Sequence, residues 1–230
     1  MSNGKAEQAR ILNIWTAILV LGSLWGFTEV VLSGAIRAAG LPYRAAILTG
    51  IGMGLMGVAV GAYKRPWMLA AIAFAAVLCK QLVMPILQVS VMCKANSCIA
   101  VMLEGFTLSG AVALAGRKVR QQSLARIATG AAAALLTAVV FHFVGMRVAP
   151  CRYLLTFDRP GGLAAFLTAE GLPWAIASGV LFPVGYWIGE RLEASSLATG
   201  TAKSRAYYAA SSAIVVVCWL ASALAIAAGF

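Results

Sequence analysis

Seven apolar runs, each near the length of a bilayer's hydrocarbon core, govern what this chain can fold into. They lie at roughly 11–36, 45–63, 67–89, 98–116, 127–147, 171–189 and 208–229. A membrane-spanning helix needs about 20 predominantly apolar residues. The 230 residues are 62% hydrophobic and only 11% charged, with a mean hydropathy of +0.90, whereas soluble domains are about 25% charged. So little polar surface cannot clothe a soluble globule. The expected class is an all-α polytopic helical membrane protein with six or seven transmembrane helices, forming one integral membrane domain over 1–230. Pro173 and Pro183 interrupt 171–189 and make it the run on which the count turns. A soluble enzyme, a DNA-binding domain and a disulfide-stapled secreted module are excluded. The run that starts at Ile11 is longer than a signal-peptide core and reads as a retained first helix.

The net charge of +11 is arranged for topology, not for nucleic acid. Eleven of the 18 Lys and Arg, from Lys5 to Arg205, fall on the side of the N-terminus. Six, from Arg37 to Arg159, fall on the other, and Lys80 lies within a span. The positive-inside rule predicts a cytoplasmic N-terminus and, with seven spans, a C-terminus outside. No basic stripe interleaved with aromatics is present, so lipid is the expected partner and nucleic acid is not. Ala-rich composition and compact loops fit a bacterial inner membrane. The connection 148–170 mixes Leu154, Phe157, Leu163 and Phe166 with Asp158, Arg159, Pro160 and Gly161. It reads either as an interfacial helix or lid over the outer mouth, or as a loop resting on headgroups.

Three matches run in the same order through both halves. Ser33–Gly40 resembles Ser109–Gly116, Thr49-Gly50 resembles Thr129-Gly130, and Arg65-Pro66 resembles Arg159-Pro160. Glu29 and Glu104 precede the first match by four and five residues. The pattern is compatible with two inverted three-helix repeats, an arrangement common in transporters. In an Ala- and Gly-rich chain such short matches also arise by chance.

Ionisable groups inside spans cost about 2.5–3.5 kcal/mol each on insertion scales, so each calls for a reason. Glu29, Lys80, Glu104 and His142 stand out. Lys80, among Ala75, Ala76, Val77, Leu78 and Leu82, is too deep to snorkel and should pair with a carboxylate. Glu29 and Glu104 are the available partners. A Glu–Lys clasp is one reading. The surplus carboxylate gives another, a cavity that accepts a proton, a cation or protonated His142. Trp25 and Gly26 precede Glu29 and put an aromatic, a small residue and a carboxylate on one turn. His142 has no second histidine beside it, so any metal would need Glu, Cys or Met ligands, and its identity is left unknown.

Cys93 and Cys98 bracket a short loop expected outside, where disulfides persist, and are the disulfide candidate; a redox pair or soft-metal site is the functional alternative. Small-residue spacing joins Gly22 with Gly26, Gly50 with Gly54, and Gly57 with Gly61. Such faces let helices approach closely, within this chain or against a docked partner. No P-loop, HExxH or GxSxG is present, and nothing calls for a cofactor.

Leu24-Trp25-Gly26-Phe27-Thr28-Glu29 resembles the WGxxE pattern of small bacterial membrane proteins similar to the substrate-binding S components of energy-coupling-factor transporters. Leu41-Pro42-Tyr43-Arg44, the intramembrane Lys80 and Val101-Met102-Leu103-Glu104-Gly105 fit the same likeness, which covers about the first half of the chain. The resemblance implies a non-catalytic subunit that captures a micronutrient or metal ion. It also implies a transmembrane coupling subunit with two ATPases, and a substrate site lined or closed by Trp25, Glu29, Lys80 and Glu104. The leading expectation is therefore a solute-capture or transport subunit for a small, cationic solute. The alternatives are a membrane thiol-redox enzyme using Cys93 and Cys98 with a quinone, and an assembly factor that scaffolds a complex through its glycine faces.

Overall fold

The computed structural model describes residues 2–81, 95–199 and 205–229, with side chains over 12–81, 95–194 and 206–229. Among these residues the chain is helical and contains no strand. The first crossing is a continuous rod: α1 (Ser2–Phe27), a π-helical turn (Thr28–Leu32) and α2 (Ser33–Ala38). It stops where Gly40 turns left-handed at φ +64° and the Leu41 and Gly40 amides bond back to the Ile36 and Arg37 carbonyls. Glycine suits that conformation, and Pro42 cannot extend the helix.

There follow α3 (Arg44–Tyr63), α4 (Trp67–Gln81), α5 (Ala95–Ala115), the short α6 (Arg117–Gln121) and α7 (Ser123–Val148). A compact turn, α8 (Arg152–Leu155), leads to α9 (Gly162–Phe166), a second π-helical turn (Leu167–Gly171) and α10 (Leu172–Thr199). The chain closes with α11 (Arg205–Ala227).

Six helices are long and apolar enough to cross a membrane: 12–38, 44–63, 95–115, 123–148, 162–194 and 206–227. Trp67–Gln81 is shorter as described, and the rest of the expected run 67–89 lies outside the described residues. Contacts set its direction. Trp67 stacks near Trp15, Gly26 abuts Cys79, and Lys80 reaches Glu29, so α4 runs parallel to the first crossing. Tyr208 meets Asn13 and Trp219 meets Ser23, so α11 also runs parallel to α1. The seven helices thus alternate in direction, and α11 ends at the opposite end of the bundle from the start of α1.

The sixth crossing starts nine residues before the expected 171, at Gly162. Pro173 follows directly on the second π-helical turn, inside a helix that runs on from Gly162, so its missing N–H falls within the crossing. Pro183 lies inside α10, and neighbouring helices make such a residue tolerable within a membrane. The segment 149–161 packs in part against the bundle. Leu154 and Phe157 are buried, and Phe157 packs edge-on against Phe166, beside Phe141 and Trp174.

α3 is the most enclosed of the long crossings and α11 the least. The glycine faces meet helices of this chain. Gly22 and Gly26 lie on α4, while Gly50, Gly54, Gly57 and Gly61 lie on the parallel α10. A Cβ on Gly57 would stand 2.5 Å from the Phe182 carbonyl oxygen. α10 answers with Gly185 and Gly189, set against the backbone of α3. Backbone contact this close is how helices associate in lipid, and it leaves these stripes occupied rather than free for a docking partner. The two halves do not pack alike. α1 lies along α4, whereas α5 and α10, their counterparts in a three-helix repeat, are separated by α7 and α3.

Candidate functional site

A cavity of about 240 Å³ opens at the end of the bundle opposite the start of α1. Five ionisable side chains line it: Glu29, Arg37, Arg44, Lys80 and Glu104. Glu29 sits in the first π-helical turn, where Thr28 Oγ1 donates to the Trp25 carbonyl at 2.8 Å instead of leaving a regular ladder. Such widened turns recur at functional sites. Lys80, near the described end of α4, is 3% exposed. It donates to Glu29 Oε2 at 3.2 Å and to Ser97 Oγ on α5 at 2.7 Å.

Glu104, one helix face deeper on α5, is also 3% exposed. Its Oε1 accepts from Thr49 Oγ1 of α3 at 2.9 Å, and its Oε2 has no partner. Lys80 thus bonds to Glu29 and Ser97 rather than to Glu104. The base of the cavity is polar and half-satisfied.

Arg37 and Arg44 are exposed and line the mouth, one from the end of α2 and one from the start of α3. Among the described residues neither has an ion-pair partner. Three cations therefore face two carboxylates. The excess expected from Glu29, Glu104 and Lys80 alone is reversed, because the tight turn at Gly40 and Pro42 brings two guanidiniums into one wall.

Trp174 of α10 supplies an aromatic wall. Its indole N–H donates to Glu170 Oε2 at 3.1 Å, and Glu170 Oε1 accepts from Tyr153 at 2.7 Å. Glu170 belongs to the second π-helical turn, so a widened turn and a glutamate flank the cavity on each side. Burial and the adjacent Glu170 carboxylate raise the Tyr153 hydroxyl from 10.0 to about 12.

Of the residues expected at a site, Glu29, Lys80 and Glu104 come together. Trp25 does not line the cavity. It is fully buried with its indole over Gly52, where a Cβ would overlap the ring. His142 does not line it either. It is buried against Phe143 and Phe166, with Nδ1 unpartnered. Cys93 lies outside the described residues, so the Cys93–Cys98 pairing does too; Cys98 is buried and its sulfur accepts from Gln81 Nε2 at 3.0 Å. Among the described residues no three His, Cys, Asp or Glu converge as a metal site. Arg37, Arg44, Thr49, Ser97 and Trp174 escaped the sequence reading. Both arginines flank spans, where they serve equally well as topology signals.

A larger cleft of about 470 Å³ lies near the other end, between α1, α3, α10 and α11. Its walls are mostly apolar and its one acid, Glu193, is engaged by Lys64. No protein family, curated protein or solved structure matches the chain.

Proposed function

We propose that this membrane protein is a solute-capture or transport subunit with no catalysis of its own. The observation that carries the reading is the half-satisfied polar cavity built from Glu29, Lys80, Thr49 and Glu104 on four helices that are otherwise apolar. Intramembrane ionisable groups are costly and most often mark a substrate or ion path. Here they surround open volume at one end only. The cleft at the other end is mostly apolar, and its acid Glu193 is already paired with Lys64. A polar pocket at one end and an apolar cleft at the other suit capture better than conduction along a polar path.

The positive-inside count puts the mouth outside the cell, where a scavenged solute arrives. Two carboxylates mixed with three cations suit a polar organic micronutrient better than a metal ion. The likeness to S components of energy-coupling-factor transporters agrees with this reading and supplies its partners, a transmembrane coupling subunit with ATPases in a bacterial inner membrane.

Native mass spectrometry of the gently extracted complex tests the proposal. A stoichiometric small molecule, with or without a coupling subunit, is the expected result, and Glu29→Gln with Lys80→Met should release it. A protein that carries no small molecule in the wild type, from cells in which both substitutions leave uptake of every tested micronutrient unchanged, would sink the proposal.

A further inference from the structure

The charges of the cavity, taken with its capture role above, define the chemistry of what it captures. Lys80 and Glu29 neutralise one another. That leaves the arginines at the mouth and the carboxyl of Glu104 at the base. The chain has seven acidic residues in all. Glu190 and Glu193 are paired at the far end, and Glu170 is held by Tyr153 and Trp174. Glu7 precedes the first span, and Asp158 is not among the lining residues. The segment 82–94 contains no Asp or Glu and adds only Lys94. Apart from Glu104, the chain therefore leaves Arg37 and Arg44 no unpaired carboxylate within the cavity lining.

At the base the need is opposite. Glu104 is 97% buried and lines the cavity, yet Oε2 lacks a donor. A buried polar atom left unpaired is costly, and hydrogen bonds to charged groups are the stronger kind. A donor arriving with the ligand would satisfy it. Between the two poles the wall is apolar, from Leu48, Val101 and Trp174. The volume corresponds to about eight waters at about 30 Å³ each, which limits the ligand to a short molecule.

We infer that the ligand is a small amphoteric acid: its anionic group sits at Arg37 and Arg44, its amine enters first and donates to Glu104, and a short apolar spine joins them. Guanidinium forks match a carboxylate or phosphate, and the buried Glu104 selects the donor end.

The test uses the full-length protein in nanodiscs and three matched probe series of two to six carbons: ω-amino acids, the corresponding alkanoic acids, and the corresponding alkylamines. Calorimetric Kd values are compared at fixed ionic strength. At least one amino acid should bind about tenfold or more tightly than both its acid and its amine, since one charged hydrogen bond is worth at least that factor. Arg37→Gln with Arg44→Gln should reduce it to the affinity of the amine, and Glu104→Gln to that of the acid. Thr49→Val removes the Thr49–Glu104 hydrogen bond without removing charge, so it should keep the amino acid ahead of the acid. Amines binding as tightly as amino acids would overturn the anionic pole, and acids doing so would overturn the role of Glu104; in either case capture itself would stand. If no probe binds and native mass spectrometry finds a ligand that is not amphoteric, this inference alone fails. If no probe binds and no ligand is carried, capture fails with it.

Discussion

Lys64 meets Glu193 at 3.0 Å at one end of the bundle, and Lys80 meets Glu29 at 3.2 Å at the other. The chemistry is the same and the surroundings are not. The first pair is 28% and 41% exposed, the second 3% and 10%. Water screens Lys64 and Glu193, and such pairs contribute about 0–1 kcal/mol. The buried pair has no such relief. Each member is tolerable only while the other is present, and breaking such a pair costs about 3–5 kcal/mol. The exposed end is a clasp, and the buried end is a cavity whose charges constrain one another.

The sharpest way to break that contrast is Lys80→Met. It should lower stability by about 3–5 kcal/mol, read as a large fall in the unfolding midpoint in detergent. Adding Glu29→Gln should recover most of the loss, because an unpaired carboxylate no longer remains. A single variant that unfolds like the wild type would mean that Lys80 is solvated after all.

Next in size is the glycine seam between α3 and α10. Gly57→Leu drives a side chain into the Phe182 carbonyl and should cost about 1–3 kcal/mol through overpacking. Gly110→Leu is the matched control, since that glycine faces open space with nothing within 4 Å. Equal losses at both positions would show that the seam is not what holds α3 to α10.

Glu193→Gln should cost no more than about 1 kcal/mol, and the difference should shrink in high salt as screening grows. A loss matching that of Lys80→Met would erase the distinction between clasp and cavity.

The smallest effect concerns the turn that buttresses Trp174. The Tyr153 hydroxyl titrates near 12 in the folded protein against 10.0 for the free side chain. A raised pKa means that its contribution is intact below pH 10 and is lost as pH rises through about 12. Trp174 fluorescence should therefore stay constant from neutral pH to about 10 and change as pH rises toward about 12. In Tyr153→Phe the change should vanish.

Some of this molecule can be read in one dimension. Helices in lipid satisfy their own backbones, so length and apolarity alone mark each crossing, and five of the seven expected runs appear within a few residues of their place. The cost of a charge in a membrane is equally local, which is why Glu29, Lys80 and Glu104 could be singled out from their neighbours. The tertiary structure decided the rest. It chose Glu29 over Glu104 as the partner of Lys80 and left Glu104 half-satisfied. It drew Arg37 and Arg44 from the role of topology signals into the cavity wall. It put Trp25 over Gly52 and enclosed His142 among phenylalanines. It spent the glycine stripes on contacts within the chain. The physical reason is that a membrane helix is apolar toward lipid and toward its neighbours alike. Its rotation and its partners then follow from many weak packing contacts, which no periodicity along the chain records.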